Sequence, residues 1–354
     1  MIEIDGGMGE GGGQIIRTAL SLSALLGTPF LIDNIRKNRP KPGLRAQHLV
    51  AVRAVKTISK ARVEGDQIGS TRLFFEPRKV EPGTYRFDIG TAGATPLVLQ
   101  ALLPPLLFTD VPSHLSLTGG THVPISPPLN FVQEVFVPFL FEMGFEVRVS
   151  LGVYGFYPRG GGHIAAAIKP LGRVPLESID LPQTKSIWMV RGVSAVGNLP
   201  LSIAERQKNA ALETLKAIAA PVEIETVSVA PSPGTGTFFF LQALGGQCRG
   251  GFSSIGIRGK RAETVGMEAA SALLEYYRKP GCVDPNLADQ IVLYMALAHG
   301  TSSFTTTEVT PHLLTNLSII EMFTRSRSRI EGEAGAPGRV TIEGIAFHGP
   351  RSAD

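Results

Sequence analysis

Phe131-Val132-Gln133-Glu134-Val135-Phe136-Val137-Pro138-Phe139-Leu140-Phe141-Glu142-Met143-Gly144-Phe145-Glu146-Val147-Arg148-Val149 changes its hydrophobic period part-way along. The first part carries apolar residues at helical spacing. After a short break, apolar and charged residues alternate from Phe145 to Val149, as in a strand with one buried face. The same order, helix then strand, returns at 47–65, 204–225 and 312–332. Each copy reads as one helix packed on a sheet edge, and the irregular spacing between copies points to stacked α+β units rather than a solenoid. Two further helices open from glycine-rich turns that follow strands. One runs Gly11 to Leu26 after Ile2-Glu3-Ile4, the other Thr95 to Phe108 after Tyr85–Ile89, with Pro104-Pro105 read as its stop.

At 354 residues the chain has room for about two domains. A hydrophobic share of 43% and a charged share of 18% suit a globular protein with a large core. No apolar run reaches the roughly 18 residues of a membrane span. Met1-Ile2-Glu3-Ile4-Asp5 has neither a basic n-region nor an apolar h-region, so a cytoplasmic protein with no membrane partner is expected. Cys248 and Cys282 lie far apart in sequence and read as two separate reduced thiols, too few for a disulfide framework or a cysteine-rich zinc site. The formal net charge of +4 is only weak support for a polyanionic partner. Its distribution says more, because Arg36, Lys37, Arg39, Lys41 and Arg45 crowd together and Arg325, Arg327 and Arg329 form a second run. The segment from Lys185 to Lys279 stands apart. It carries strands at Ile187–Arg191 and Thr237–Leu241, helices at Ala204–Ile218 and Thr264–Arg278, and a turn at Pro231–Gly236. That is enough for a small α/β unit set between earlier and later parts of the main domain.

Five segments could carry chemistry. In Asp5 to Arg17, glycines at 6, 7, 9, 11, 12 and 13 surround Glu10 and run into a helix. Such a turn offers backbone N–H groups to an anion at the positive end of the helix dipole, and Glu10 could ligate a hard metal ion there. It lacks the Gly-Lys-Ser/Thr of a Walker A loop. A tight turn needing positive φ, with Glu10 solvated, is the plainer reading. In Ile35 to His48, Pro40 and Pro42 keep the chain extended, and no acid occurs between Asp33 and Glu64. Arginines on such a loop suit bidentate phosphate contacts, while His48 by itself reads as a packed helix residue. In Gly90 to Gln100, Thr95 and Pro96 read as N-cap and first helical residue, and Gln100 is either a buried network residue or a ligand contact. Tyr157-Pro158-Arg159-Gly160-Gly161-Gly162-His163, following Gly119-Gly120-Thr121-His122, brings another glycine run and another arginine, which suggests close backbone approach. In Thr310-Pro311-His312-Leu313-Leu314-Thr315-Asn316-Leu317, Thr310 reads as N-cap and Pro311 as first helical residue, so His312 sits in the first turn. The dipole there disfavours imidazolium and favours an anion attached to the ring, the arrangement wanted for a histidine carrying a phosphoryl or nucleotidyl group. The residues alone still favour a structural role for a single histidine at a helix start.

Taken together, these segments resemble the RNA 3'-terminal-phosphate cyclase family. The resemblance rests on Gly9-Glu10-Gly11-Gly12-Gly13-Gln14-Ile15-Ile16-Arg17, on Arg36 through His48 with Lys41-Pro42-Gly43-Leu44, on Gly155 through Gly162, on Leu287-Ala288-Asp289-Gln290 and on His312-Leu313-Leu314-Thr315-Asn316, in that order along nearly the whole chain. It implies attack by a histidine on the α-phosphorus of ATP, transfer of AMP to an RNA 3'-phosphate, and closure of a 2',3'-cyclic phosphodiester. His312 matches the nucleophile. Gln100, Asn286, Leu287, Ala288, Asp289 and Gln290 match ATP-binding positions, and Glu10 matches the ligand of a divalent metal, Mg or Mn. Arg17, Arg36, Arg39 and His48 match positions facing phosphate and the RNA end. At Asn286 the family can carry an aromatic residue that packs on the nucleotide, so base affinity or selectivity is in question there. The resemblance further implies an α+β main domain of repeated units, each a four-stranded sheet with two helices, spanning 1–183 and 278–344. A smaller inserted domain occupies 184–277 and a tail 345–354. The principal rival is a non-catalytic, RNA-binding ribosome-assembly relative of the same fold, which would lack the histidine. An enolpyruvyl-transferase-like enzyme and a metabolic kinase fit less well, the latter for want of a Walker A lysine.

Overall fold

The computed structural model describes residues 1–172, 174–181 and 183–349; residues 350–354 of the expected tail lie outside the described residues. All four predicted helix-then-strand copies are present. They are Ala46–Ser59 with Arg62–Glu64, Leu129–Glu142 with Glu146–Val153, Leu201–Leu215 with Val222–Ser228, and Pro311–Thr324 with Arg327–Glu331. The second of these helices contains a π turn over Val132–Phe136.

Two sheets share one plan. In the first, Ile2–Asp5 pairs in parallel with Phe30–Asp33, which pairs antiparallel with Leu73–Glu76, and Arg62–Glu64 forms the other edge. The second repeats it with Thr84–Asp88, Ser113–Gly119, Gly162–Lys169 and Glu146–Val153. In each, a helix crosses between the parallel pair, as such a connection requires. The sheet of Thr301–Thr306, Gly338–Glu343 and Arg327–Glu331 has three strands in the same relative positions. Its missing parallel neighbour is the segment at 177–181, bonded through Ser178 N to His299 O at 3.1 Å and Leu181 N to Ser303 O at 2.9 Å. The connection from 181 to the strand at 301 carries the remaining sheet, Val222–Ser228, Met189–Gly197, Gly236–Gly245 and Cys248–Ile255. This sheet is backed by Leu201–Leu215 and Ala262–Arg278 around its own cluster of Val190, Phe239, Leu241, Phe252, Leu273 and Tyr276.

Several local expectations need correction. Thr95–Leu107 continues through Pro104 and Pro105 rather than stopping there, and its N-cap is Ala94, with Thr95 already helical. A proline in a helix frees the carbonyl four residues back. Here the carbonyl of Ala101, four before Pro105, accepts from Ser21 Oγ at 3.0 Å. The loop at 36–43 is folded into turns, not extended. Lys37 N donates to Asn34 O and Arg39 N to Arg36 O, while Gly43 N reaches Ile35 O at 2.8 Å. Cys248 and Cys282 are joined in a disulfide, with Cα atoms 4.9 Å apart. Thirty-four residues of separation gave no hint that a strand start and the loop before Pro285–Leu297 meet. From 345 the chain stays docked as far as Phe347, whose N–H donates to Leu297 O at 2.9 Å and whose ring packs edge-on against Phe108. Among the described residues no helix is long and apolar enough to cross a membrane.

The seam between the 189–255 sheet and the rest is built on His122, which is fully buried. Its ring stacks on Phe238 with centroids 4.1 Å apart, its Nδ1 lies 2.8 Å from Thr121 Oγ1, and its Nε2 lies 3.0 Å from Asn130 Oδ1. Burial lowers its pKa to about 4, with the Asn130 bond opposing. The folded state therefore resists protonation while the unfolded chain accepts it near 6.5. The stabilisation is complete above pH 6.5 and is lost as the pH falls towards 4. Unfolding in denaturant across that range is expected to show the stability gap between wild type and His122→Gln shrinking by about 3 kcal/mol. A gap independent of pH would mean that the ring is not held neutral.

Candidate functional site

A cavity of about 1020 Å³ opens between the main body and the 189–255 sheet. The main body lines it with Glu10, Arg17, Arg36, Arg39, His48, Gln100, Asn286, Asp289, Gln290 and His312. Residues far apart in sequence thus meet on one wall, while Gly251–Ile255, Ile257 and Lys260 supply the facing one.

The centre of the wall is Glu10. Its side chain is buried, forms an ion pair with Arg39 Nη2, and places Oε2 3.6 Å from His312 Nε2. Arg39 also donates to the Glu10 carbonyl at 3.1 Å. Gly9 takes φ 52° against the side chain of Thr315, whose hydroxyl accepts from Glu10 N at 3.1 Å. A Cβ on Gly12 would overlap the Glu10 carboxylate, and one on Gly13 would overlap the His48 ring. Close approach favours glycine at all three positions, and at Gly9 the left-handed backbone does so as well.

His312 enters from Pro311–Thr324, whose Thr310 cap accepts from Leu313 N at 3.1 Å, as the sequence predicts. Its side chain is half exposed towards the cavity. Below it, Asn316 holds Thr18 through Oδ1 at 2.6 Å and donates through Nδ2 to the Asp289 carbonyl. Those bonds tie the histidine helix to Gly13–Leu26 and to Pro285–Leu297.

His48 is buried, and its Nδ1 accepts from Arg45 N at 3.2 Å, so the hydrogen of the neutral ring belongs on Nε2, facing Gly13. Burial, then Arg17, Arg36 and Arg45, lower its pKa to about 3. It is a neutral donor, not a proton store. Arg17 is lowered to about 10 by burial, with Asp289 and Glu10 opposing, and stays charged. Asp289 is raised to about 7, chiefly by burial, although its bond from Gln14 Nε2 at 2.8 Å and the charge of Arg17 pull it back. Arg36 spends Nη1 on Lys41 O at 2.8 Å and Gly43 O at 2.9 Å, and so shapes the loop that presents Arg39.

On Pro285–Leu297 the helical period divides the predicted set. Asn286, Asp289 and Gln290 face the cavity, whereas Leu287 and Ala288 are buried in the core and do not line it. Gln100 is placed by its bond to Gln290 Oε1 at 2.6 Å. Sequence reasoning did not single out Gln14, Thr18 or Asn316. A polar residue in the first turns of an otherwise apolar helix was the available signal for the first two. Nothing local pointed to the 251–260 wall.

The family model described as RNA 3'-terminal phosphate cyclase matches residues 8–330. Relatives named RNA 3'-terminal phosphate cyclase include one from Pyrobaculum neutrophilum, 43% identical over 98% of this chain and 99% of its own length. Another, from Pyrobaculum aerophilum, is 41% identical over 98% and 99%, and one from Pyrococcus furiosus is 42% identical over 97% and 98%. A solved structure of EPSP synthase from Acinetobacter baumannii matches over 99% of this chain and 66% of that one, at 12% identity and a TM-score of 0.36. Matched along nearly its whole length by the family model and by these relatives, this chain belongs to the RNA 3'-terminal phosphate cyclase family.

Proposed function

We propose that the chain converts an RNA 3'-terminal phosphate to a 2',3'-cyclic phosphodiester with ATP, through AMP held covalently on His312. The observation that carries this reading is His312 Nε2 at 3.6 Å from the buried Glu10 carboxylate, beside Arg39 and at a helix start. In the first step His312 Nε2 attacks the α-phosphorus, an N–P bond forms, and the P–O bond to pyrophosphate breaks. An oxygen of the RNA 3'-phosphate then takes the adenylyl group and frees the ring. Finally the 2'-hydroxyl attacks the activated phosphorus, gives up its proton and expels AMP. Arg17, Arg36, Arg39 and neutral His48 would offset phosphate charge that repels each nucleophile. Gln100, Asn286, Asp289 and Gln290 would hold the nucleotide.

The residues also fit a divalent metal, Mg or Mn. Glu10 offers one carboxylate; among the described residues no group of three or more His, Cys, Asp or Glu gathers, at Glu10 or elsewhere, so most ligands of the ion would come from substrate phosphates and water. Such an ion is commonly held by one or two carboxylates together with substrate phosphates and water. Bound there, it would neutralise phosphate charge. We further assign 184–277 as a domain inserted into a main domain of 1–183 and 278–344.

The test is incubation of the protein with α-labelled ATP, a divalent metal and an oligoribonucleotide bearing a 3'-phosphate. Labelled protein and a cyclic end are expected. RNA binding with neither outcome would favour the non-catalytic assembly-factor reading.

A further inference from the structure

One motif stands outside the cavity lining, the loop Tyr157–Gly161. It is held from below with little freedom. A Cβ on Gly160, at φ 67°, would lie 2.7 Å from Ala92 Cα and 2.8 Å from Thr91 O, and Gly160 N donates to Phe156 O at 2.7 Å. What this rigid base presents is an aromatic ring and a cation. Tyr157 is 63% exposed, Arg159 is exposed, and among the described residues neither side chain has a hydrogen-bond or ion-pair partner.

The loop touches segments that lead to each of the two cavity walls. On one side Gly160 rests on Ala92, and Gly93 rests on Gln47, whose Oε1 accepts from Ala94 N at 3.0 Å; Gln47 lines the cavity beside His48. On the other side Arg159 Cβ lies 3.3 Å from the position a Cβ would take on Gly234. The strand that follows is Gly236–Gly245, and its Thr237 carbonyl accepts from Gly256 N at 2.8 Å, next to Ile257 of the facing wall. A strand whose 3' end lies at His312 and which leaves the cavity on the side of Gln47 and Ile257 would reach Tyr157 and Arg159.

We propose that Tyr157 and Arg159 form a docking site for single-stranded RNA upstream of the reacting end, the ring stacking on a base and the guanidinium contacting a phosphate. An exposed aromatic beside an unpaired cation is the pairing that sequence-tolerant single-strand binding uses. The inference rests on the cyclase reading for the direction of the strand.

The test compares full-length wild type, Tyr157→Ala, Arg159→Ala and Arg159→Lys. Substrates are a ten-nucleotide oligoribonucleotide 3'-phosphate and a nucleoside 3'-monophosphate, read as KM and kcat for AMP release and as Kd by fluorescence anisotropy or competition. Each alanine variant is expected to raise KM and Kd for the oligonucleotide about tenfold, leaving kcat, the monophosphate and ATP labelling unchanged. Arg159→Ala is also expected to flatten the salt dependence of log Kd by about 0.7, with Arg159→Lys restoring that slope. Equal losses on both substrates, or no loss on the oligonucleotide, would overturn the site. If labelling or cyclisation fails in the wild type, the Kd comparison still decides, and a wild type that binds no oligonucleotide also overturns it.

Discussion

His312→Ala is expected to abolish the covalent label left by α-labelled ATP and to slow formation of cyclic ends by about 10⁴-fold or more, the scale lost when a nucleophile is removed. The label in wild type should be acid-labile and base-stable, because a nitrogen–phosphorus bond carries it. The substitution suits a clean test. The His312 side chain is half exposed, and its helix is held by the Thr310 cap and by Asn316, not by the imidazole. Thermal unfolding should therefore move by no more than about 0.5 kcal/mol, as for a surface change. A variant that keeps its label refutes the assignment of the nucleophile even if turnover falls.

Glu10→Ala is expected to cost about 10²- to 10³-fold in labelling, comparable to removing one charge-stabilising group from a preorganised site. Its signature should be metal dependence. If Glu10 holds the ion, the half-saturating concentration of Mg or Mn should rise at least about tenfold in the variant, and Glu10→Asp should recover part of the loss. The carboxylate is buried while its partner Arg39 is 40% exposed, so the arginine left behind can be solvated and the fold should survive. A metal titration unchanged from wild type would remove Glu10 from the metal site and leave it the role of holding Arg39 near His312.

Much of the site was legible because its chemistry is carried by short segments that announce their own conformation. Thr310-Pro311 specifies a helix start, so the position of His312 in the first turn followed from capping alone. The glycines around Glu10 signalled an unusual turn at a helix start, and the structure adds what packs against them, namely the Glu10 carboxylate itself, His48 and Thr315. The fate of Leu287 and Ala288 was less legible. A motif is a linear string, but a helix turns roughly 100° per residue, so its members cannot all face one ligand.

The alternation of helical and two-residue periods determined that this chain builds α+β units, because a hydrophobic face must be buried whatever covers it. The same patterning marked 185–279 as a unit of its own. Only the tertiary structure decided what lies across from what. Parallel pairing of 177–181 with 299–303 is a contact between segments about 120 residues apart, and no local preference encodes a partner at that distance. The bonding of Cys248 to Cys282, the shelter given to Pro105 by Ser21, and the cavity wall made by Gly251–Ile257 depend in the same way on packing between distant elements.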